Sequence, residues 1–266
     1  MNRALSPDLL ARCHRNAIED YRAFALCATG AMVEEHEGSL FVNLGGGDSM
    51  ENVAFITEAR TDPPGALDLA ERFFERNPHP WSVILHPNVQ KAMRPVLAAR
   101  RFFDEGKFPG MVLHPLPERP LEPPGGLRIV RVETLDQLVD LQHAASRSFG
   151  GPYEAPEASW LEAKGLTWYV GYENRTPVVH GILVVTHGIA GVAYVGTAPE
   201  GRRRGFARAL VSRIVSDGRG QGCDAAYLWA TPMGSHVYPS LGFRTILEYE
   251  IWSVPGSPLP KAIRGE

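Results

Sequence analysis

Cysteine is scarce in this chain. Its 266 residues hold three, Cys13, Cys27 and Cys223, widely spaced and odd in number. That excludes a disulfide framework, and with no Cys-x-x-Cys pair or Cys/His cluster no metal site is expected. Buried, reduced thiols in a cytoplasmic protein are the expectation. An excess of charge is also lacking: 27 Lys and Arg stand against 30 Asp and Glu, a net charge of −3. Bulk electrostatics therefore give no reason to expect nucleic acid. No apolar run approaches the ~20 residues of a membrane span. The opening MNRALSPDLLARCHRNAIEDYRAFA has no continuous signal-type segment. No Gly-x-Gly-x-x-Gly follows a strand, which argues against a dinucleotide oxidoreductase. The triplet Gly45-Gly46-Gly47 is not followed by Gly-Lys-Ser/Thr, so it suits a hairpin-like connection better than a phosphate loop.

What the chain does have is a hydrophobic share of 44%, enough for one large or two ordinary domains. Residues 113–126, LHPLPERPLEPPGG, carry five prolines and two glycines. Such a segment is extended and semi-rigid, and it places a boundary near residue 120. The expected domains are 1–120 and 121–266, the latter with a core over 127–254. Before the linker the pattern predicts one or two helices within 1–30, on a stripe of Leu9-Leu10, Ile18, Tyr21 to Phe24 and Leu26. Strands follow at 39–44, 52–57 and 81–85, with helices at 67–76 and 89–99. After the linker come a strand at 127–132, a helix at 135–148 and a strand at 168–171. Strands at 178–186, 189–195, 225–230 and 244–254 complete the pattern. The tail PGSPLPKAIRGE shows no core pattern and is expected to be mobile.

One stretch concentrates chemistry. In VAYVGTAPEGRRRGFARAL, residues 192–210, an apolar strand is followed by the turn Thr197-Ala198-Pro199-Glu200-Gly201. A helix then opens, with Phe206, Ala209, Leu210 and Ile214 at helical spacing. Arg202, Arg203, Arg204 and Gly205 lie between. A helix start leaves about four N–H groups unpaired and carries roughly half a positive charge. Gly205 lets a bulky anion approach the backbone, and Ala207 keeps the next turn small. A di- or triphosphate suits this end. So, from spacing alone, does a solvated basic turn capping a surface helix.

The order strand, turn, helix, strand, short helix, then Phe occurs twice, over 53–103 and 193–243, which reads as a diverged internal duplication. In the first copy the helix opens Asp62-Pro63-Pro64-Gly65. Proline removes donors there, and Asp62 and Asp68 would repel phosphate.

The Arg-x-x-Gly-x-Ala pattern of Arg202, Gly205 and Ala207 resembles the pyrophosphate loop of the GNAT acyltransferase superfamily. The segment Tyr238-Pro239-Ser240-Leu241-Gly242-Phe243 resembles that family's second signature. The resemblance implies an α+β fold of two GNAT-like domains, each a mixed, mostly antiparallel sheet flanked by helices. The first is degenerate and serves to extend the sheet, shape an acceptor pocket or pair subunits, as in a homodimer. The second binds acetyl-CoA. The pyrophosphate would lie on the amides of Arg203 to Arg208, hence on Arg203, Arg204, Gly205, Phe206, Ala207 and Arg208, beside Arg202. The pantetheine arm would pair with the strand at Val195, Gly196 and Thr197, the Val195 N–H facing the thioester oxygen. Tyr238 would be the general acid, and Ser235 would stand where relatives carry a coenzyme-binding Asn. The implied activity is transfer of an acyl group, acetyl in the first instance, to a primary amine of a small molecule. A protein amine, or a non-catalytic coenzyme-binding regulator, remains an alternative. No metal, nucleic acid or membrane partner is implied. For the general base the candidates are Glu154, Glu157, His180, His187 or water.

Overall fold

A computed structural model describes residues 5–36, 38–58, 62–151, 155–259 and 261–264. The chain divides into two compact units. The first, unit A, comprises residues 1–23, 111–229 and 234–244; unit B comprises 24–110, 230–233 and 245–266. A cut near residue 120 separates most of the two, but the first helix joins unit A and the last strand joins unit B.

Unit A is built on strands β6 (Leu127–Arg131), β7 (Leu166–Glu173), β8 (Thr176–Thr186), β9 (Ile189–Thr197) and β10 (Ala225–Trp229). They lie side by side in sequence order. The pairs from β6 to β9 are antiparallel, whereas β10 runs parallel to β9. The parallel step needs a crossover, supplied by helix α5 (Phe206–Gly220). Helix α4 (Leu135–Phe149) starts where Thr134 Oγ1 accepts from the Gln137 N–H, and stops at Gly150, whose φ of 75° ends it. Helix α1 (Pro7–Ala25) starts with Ser6 Oγ accepting from the Leu9 N–H and with Pro7 at the first helical position. Its buried stripe is Leu9, Cys13, Asn16, Ala17, Asp20, Tyr21 and Ala23. The apolar stripe expected from the sequence is thus rotated: Leu26 is 73% exposed, and two polar side chains take core positions.

The glycines of unit A set how closely its layers approach. A Cβ on Gly218 of α5 would come within 2.4 Å of Ala190 Cβ on β9, so α5 sits against β9 because that methyl is missing. On the opposite face, a Cβ on Gly191 would meet Asn16 Oδ1 at 2.5 Å, so α1 packs on the other side of the same strand.

Unit B has strands β1 (Met32–His36), β2 (Ser39–Asn43), β3 (Asn52–Ile56), β4 (Ser82–Leu85), β5 (Phe103–Leu113, in its larger part) and β11 (Arg244–Ser253, in its larger part). Their order is β1-β2-β3-β4-β11-β5. The pair β3–β4 is parallel, with helix α2 (Pro63–Glu75) as the crossover, and helix α3 (Pro87–Ala99) follows β4. Phe41, Phe73, Phe74, Trp81 and Phe102 form an aromatic core under these helices. The glycine triplet lies in the β2–β3 connection, where Asn52 holds the loop: its Oδ1 accepts from the Leu44 and Gly45 N–H groups. Among the described residues of the tail, expected to be mobile, Leu259 is held in place. Leu259 is buried, and its N–H donates to Glu105 Oε1 at 2.7 Å, the same oxygen that accepts from Ser253 Oγ. A short helix, α6 (Lys261–Arg264), follows. One buried leucine and one half-buried carboxylate anchor a segment with no periodic pattern. Both units are mixed α+β, with mostly antiparallel open sheets flanked by helices.

Gly218→Ala tests the close approach of α5. The gain in helix propensity is about 1 kcal/mol, but the added methyl overpacks against Ala190. Overpacking costs about 1–3 kcal/mol, so a net loss of up to about 2 kcal/mol is expected in denaturant unfolding.

Candidate functional site

The site is assembled where β9 parts from β10. The parallel register runs from Ile189↔Ala225 to Gly191↔Tyr227, while β9 continues to Thr197. Along that continuation β9 stays paired with β8, but its register slips between His180 and Ile182. The slip is a bulge: Tyr194 takes φ 53°, unusual for a side chain of that size. The bulge turns Tyr194 towards α4, where its hydroxyl donates to Gln142 Oε1 at 3.1 Å, and leaves Val195 on the α5 side, beside Gly181.

Behind the bulge is a packed cluster. His180 is fully buried, its Nε2 2.8 Å from Ser148 Oγ, with the rings of Phe149 and Tyr194 about it. Gly196 is required there, since a Cβ would fall 2.3 Å from both His180 Nε2 and Ser148 Oγ. Burial pushes the His180 imidazole down to about 3, against a smaller opposing influence of the Tyr194 main chain. An imidazole this weak is a poor proton acceptor at neutral pH, which removes His180 from the candidate bases. His187 is exposed in the β8–β9 turn, the whole length of β9, about 26 Å, from the loop that follows Thr197. Glu157 is exposed and precedes the 3-10 turn Ala158–Glu162. Glu154 lies outside the described residues.

The loop after Thr197 is held from beneath. Ala198 N–H donates to Val178 O and Gly201 N–H to Ala198 O, both at 2.9 Å. Arg203 at φ 60° and Gly205 at φ 81° then turn the chain into α5. Gly205 is the N-cap and offers no side chain to the helix. The amide of Ala209 donates to Gly205 O, but among the described residues nothing accepts from the amides of Arg203 to Arg208. Successive unpaired N–H groups at left-handed turns and a helix start form an anion cradle.

The arginines divide their labour. Arg202 turns inward, donating to Thr197 O at 3.2 Å and Ser148 O at 3.0 Å, so it braces the loop. Arg204 is paired with Glu173 and lies over the Phe206 ring at 4.7 Å. The pairing holds Glu173 below the ordinary carboxylate range and Arg204 above its own. Arg203 and Arg208 are exposed, without a charged partner among the described residues. The sequence showed a run of three cations; of these, the fold braces Arg202 on carbonyls, pairs Arg204 with Glu173 and leaves Arg203 without a partner among the described residues.

The corresponding helix start in unit B is closed. Pro63 and Pro64 carry no N–H, Gly65 N–H donates to Asp62 Oδ1 at 3.1 Å, and Ala66 N–H donates to Asp62 O. Every donor of that first turn is spent.

Tyr238 begins a 3-10 turn (Tyr238–Leu241) that packs on α5. Gly242 at φ 92° reverses the chain, so that Phe243 N–H donates to Tyr238 O and the Phe243 ring meets the Tyr238 ring edge-on at 5.9 Å. The Leu-Gly-Phe spacing is thus the condition for this ring pair. Tyr238 is buried, which pushes its phenol up to about 12; its hydroxyl has no hydrogen-bond partner among the described residues. Ser235 lies in the preceding turn, Gly234–His236. Among the described residues no group of three His, Cys, Asp or Glu could hold a metal ion, and no helix is long and apolar enough to cross a membrane.

Residues 170–246, which hold the parted strand, the cradle and the Tyr238 turn, match the model of the acetyltransferase (GNAT) domain. Among solved structures, a GCN5-related N-acetyltransferase from Kribbella flavida is similar. It is 19% identical, with 92% of this chain and 96% of that chain covered and a TM-score of 0.67. Another, from Sphaerobacter thermophilus, is 17% identical, covering 92% and 90%, with a TM-score of 0.59. At these identities the likeness is one of fold. No curated protein matches the chain.

The buried imidazole carries a pH signature. His180 binds a proton less readily folded than unfolded, so the stability it contributes is present above about pH 6.5 and is lost as pH falls towards 3. His180→Gln should flatten the acid limb of the unfolding free energy relative to wild type between pH 6.5 and 4, measured by denaturant titration.

Proposed function

We propose that this chain, which carries a GNAT acetyltransferase domain in residues 170–246, is an N-acyltransferase. It transfers an acetyl group from acetyl-CoA to the primary amine of a small molecule. The observation that carries this reading is the run of unpaired amides from Arg203 to Arg208, beside the free guanidinium groups of Arg203 and Arg208. The donor set fits a diphosphate: fixed N–H groups, a helix N-terminus and two unspent cations. The closed helix start of unit B sharpens the contrast, for the same crossover there offers no donor.

The coenzyme's arm carries amides of its own. They would add to the edge of β9 that β10 leaves after Gly191, at Val195, Gly196 and Thr197. The bulge at Tyr194 turns the backbone there, and the Val195 N–H is the donor we assign to the thioester oxygen as it gains charge. Ser235 is assigned to the coenzyme through its hydroxyl.

Tyr238, the general acid of the expected mechanism, is assigned to the leaving sulfur as a hydrogen-bond donor. Its phenol at about 12 stands some 3.5 units above an ordinary thiol. Outright proton transfer to a free thiolate would be uphill by about 5 kcal/mol. The phenol therefore acts by donating a hydrogen bond as charge builds on sulfur. The proton that ends on sulfur comes from the attacking nitrogen. Unit B, with its closed helix start, is assigned a structural or acceptor-shaping role. A cytoplasmic setting and a homodimer belong to the same reading.

Acetyl-CoA should raise the melting temperature of the full chain, and Gly205→Glu should abolish the shift by placing bulk and charge against the phosphates. Gly205→Asn, which tolerates a left-handed φ, should keep most of it and so controls for backbone strain. An unchanged shift in the Glu variant sinks this placement.

Free-thiol release with a panel of aminoglycosides, polyamines, amino acids and peptides identifies the acceptor. Tyr238→Phe should lower that rate by about 10–100-fold while leaving the acetyl-CoA melting shift intact. Coenzyme binding with no thiol release for any amine, unaltered by Tyr238→Phe, would point instead to a coenzyme-binding regulator.

A further inference from the structure

Helix α1 is the element whose place in unit A is hardest to read from the sequence, and it carries a carboxyl group into the core. Three contacts fix how it lies. Arg12 pairs with Asp224, just before β10. Asn16 Nδ2 donates to Val184 O at 3.2 Å and Thr186 Oγ1 at 2.7 Å, and its Oδ1 sits where a Gly191 side chain would be. The Tyr21 ring stacks on Trp229 at the end of β10, 6.4 Å between centroids. The helix therefore runs alongside β9 and β10 in their own direction, from the start of the strands towards the place where they part.

Asp20 is one turn beyond Asn16 on the same face. A helix rises about 6 Å over four residues, and a strand covers that distance in about two. Asn16 is level with Gly191, the last β9 residue of the β9–β10 ladder. Asp20 is thus level with Ala193, just past the fork and one residue before the bulged Tyr194. It is 4% exposed, and its Oδ1 has no hydrogen-bond partner. A carboxyl group so placed costs stability unless something else requires it.

We propose that Asp20 is the general base of the acyl transfer, a catalytic residue that receives the acceptor's ammonium group in the fork between β9 and β10 and takes its proton. The proposal rests on the acetyl-CoA reading above. It fills the gap left by β9 itself, which carries no carboxylate, and by His180 and His187, which the fold disqualifies. Proton and electron balance is simple. As the ammonium arrives, its charge drives the Asp20 proton to solvent; the carboxylate so formed takes one proton from the ammonium, and the freed nitrogen lone pair forms the N–C bond at the thioester carbonyl. The C–S bond breaks with its electron pair on sulfur, sulfur gains the second proton from nitrogen, and Asp20 releases its own to solvent.

Burial, with the nearby Glu19 charge adding to it, pushes Asp20 well above the ordinary carboxylate range. That narrows the gap to an alkylammonium near 10.4. The other titratable side chains facing it from the packed elements are Cys13 and Tyr21 on the same helix face, His180 on β8, held neutral by burial, Tyr194 on β9 and Tyr227 on β10. None of these is a cation that would hold Asp20 ionised before the acceptor arrives.

The test uses the full-length Asp20→Asn protein and two readouts. Thiol release from acetyl-CoA, with the best amine of the panel, should fall at least about 100-fold at pH 7.5. The deficit should narrow by about tenfold or more towards pH 9.5, where the amine increasingly supplies its own free base. Independently of turnover, wild type should lose stability as pH rises from about 5 to 8, because the folded chain holds the Asp20 proton more tightly than the unfolded chain. Asp20→Asn should escape that loss, melt at or above the wild-type temperature at pH 8, and keep the acetyl-CoA shift. A purely structural Asp20 predicts the reverse, a variant less stable at every pH, and that result overturns the assignment. So does a rate within threefold of wild type. If acetyl-CoA shifts neither protein, the coenzyme reading falls and takes this one with it; an intact shift with an unaffected rate removes Asp20 alone.

Discussion

Strand β9 gives up its ladder with β10 after Gly191 while keeping its ladder with β8. Everything else in unit A accommodates that one-sided pairing. A strand edge opened inside a sheet exposes main-chain donors and acceptors that a folded protein ordinarily covers. The bulge at Tyr194 bends the freed length, Gly196 makes room for the Ser148–His180 pair behind it, and Arg202 ties its end to the Thr197 and Ser148 carbonyls. The open edge is thus braced from behind and at its end. That bracing and the unsatisfied amides at the start of α5 are two outcomes of one backbone path.

Much of that path is legible in the residues. The alternation of β6, the turn chemistry of Thr197 to Gly201 and the glycine before Phe206 give strand, loop and helix in the right places. The supersecondary order shared by 53–103 and 193–243 is matched by two parallel pairs, β3–β4 and β9–β10, each with its crossover helix. The contrast between the two helix starts is also visible in advance, because proline has no N–H and an aspartate before it is a ready cap. The fold adds that Asp62 does not merely repel an anion but occupies its place.

What was not legible depends on contacts distant in sequence. Nothing near Arg204 says that Glu173, thirty-one positions earlier, pairs with it. His180 looks like a plausible base until the Phe149 and Tyr194 rings enclose it. Helix α1 misled most. Its apolar residues permit more than one stripe, and only the strands beneath it select the one that buries Asn16 and Asp20. A signal was present all the same: Cys13, Asn16, Ala17, Asp20 and Tyr21 keep the i, i+3, i+4 spacing of a buried face. Two polar residues within such a face call for a reason. The tail shows the opposite failure, since a single leucine can be anchored without any periodicity.

The units also exchange their ends. Residues 1–23 belong with a body otherwise built after residue 110, and residues 245–266 belong with one built before it. Helix α1 precedes by more than 160 residues the strands on which it packs. In the sheet of unit B, β11 fills the place between β4 and β5, although both precede it by a long stretch of chain. Each body thus draws on segments from both sides of residue 110. Cutting the chain at the linker would leave each half without one of its own secondary-structure elements.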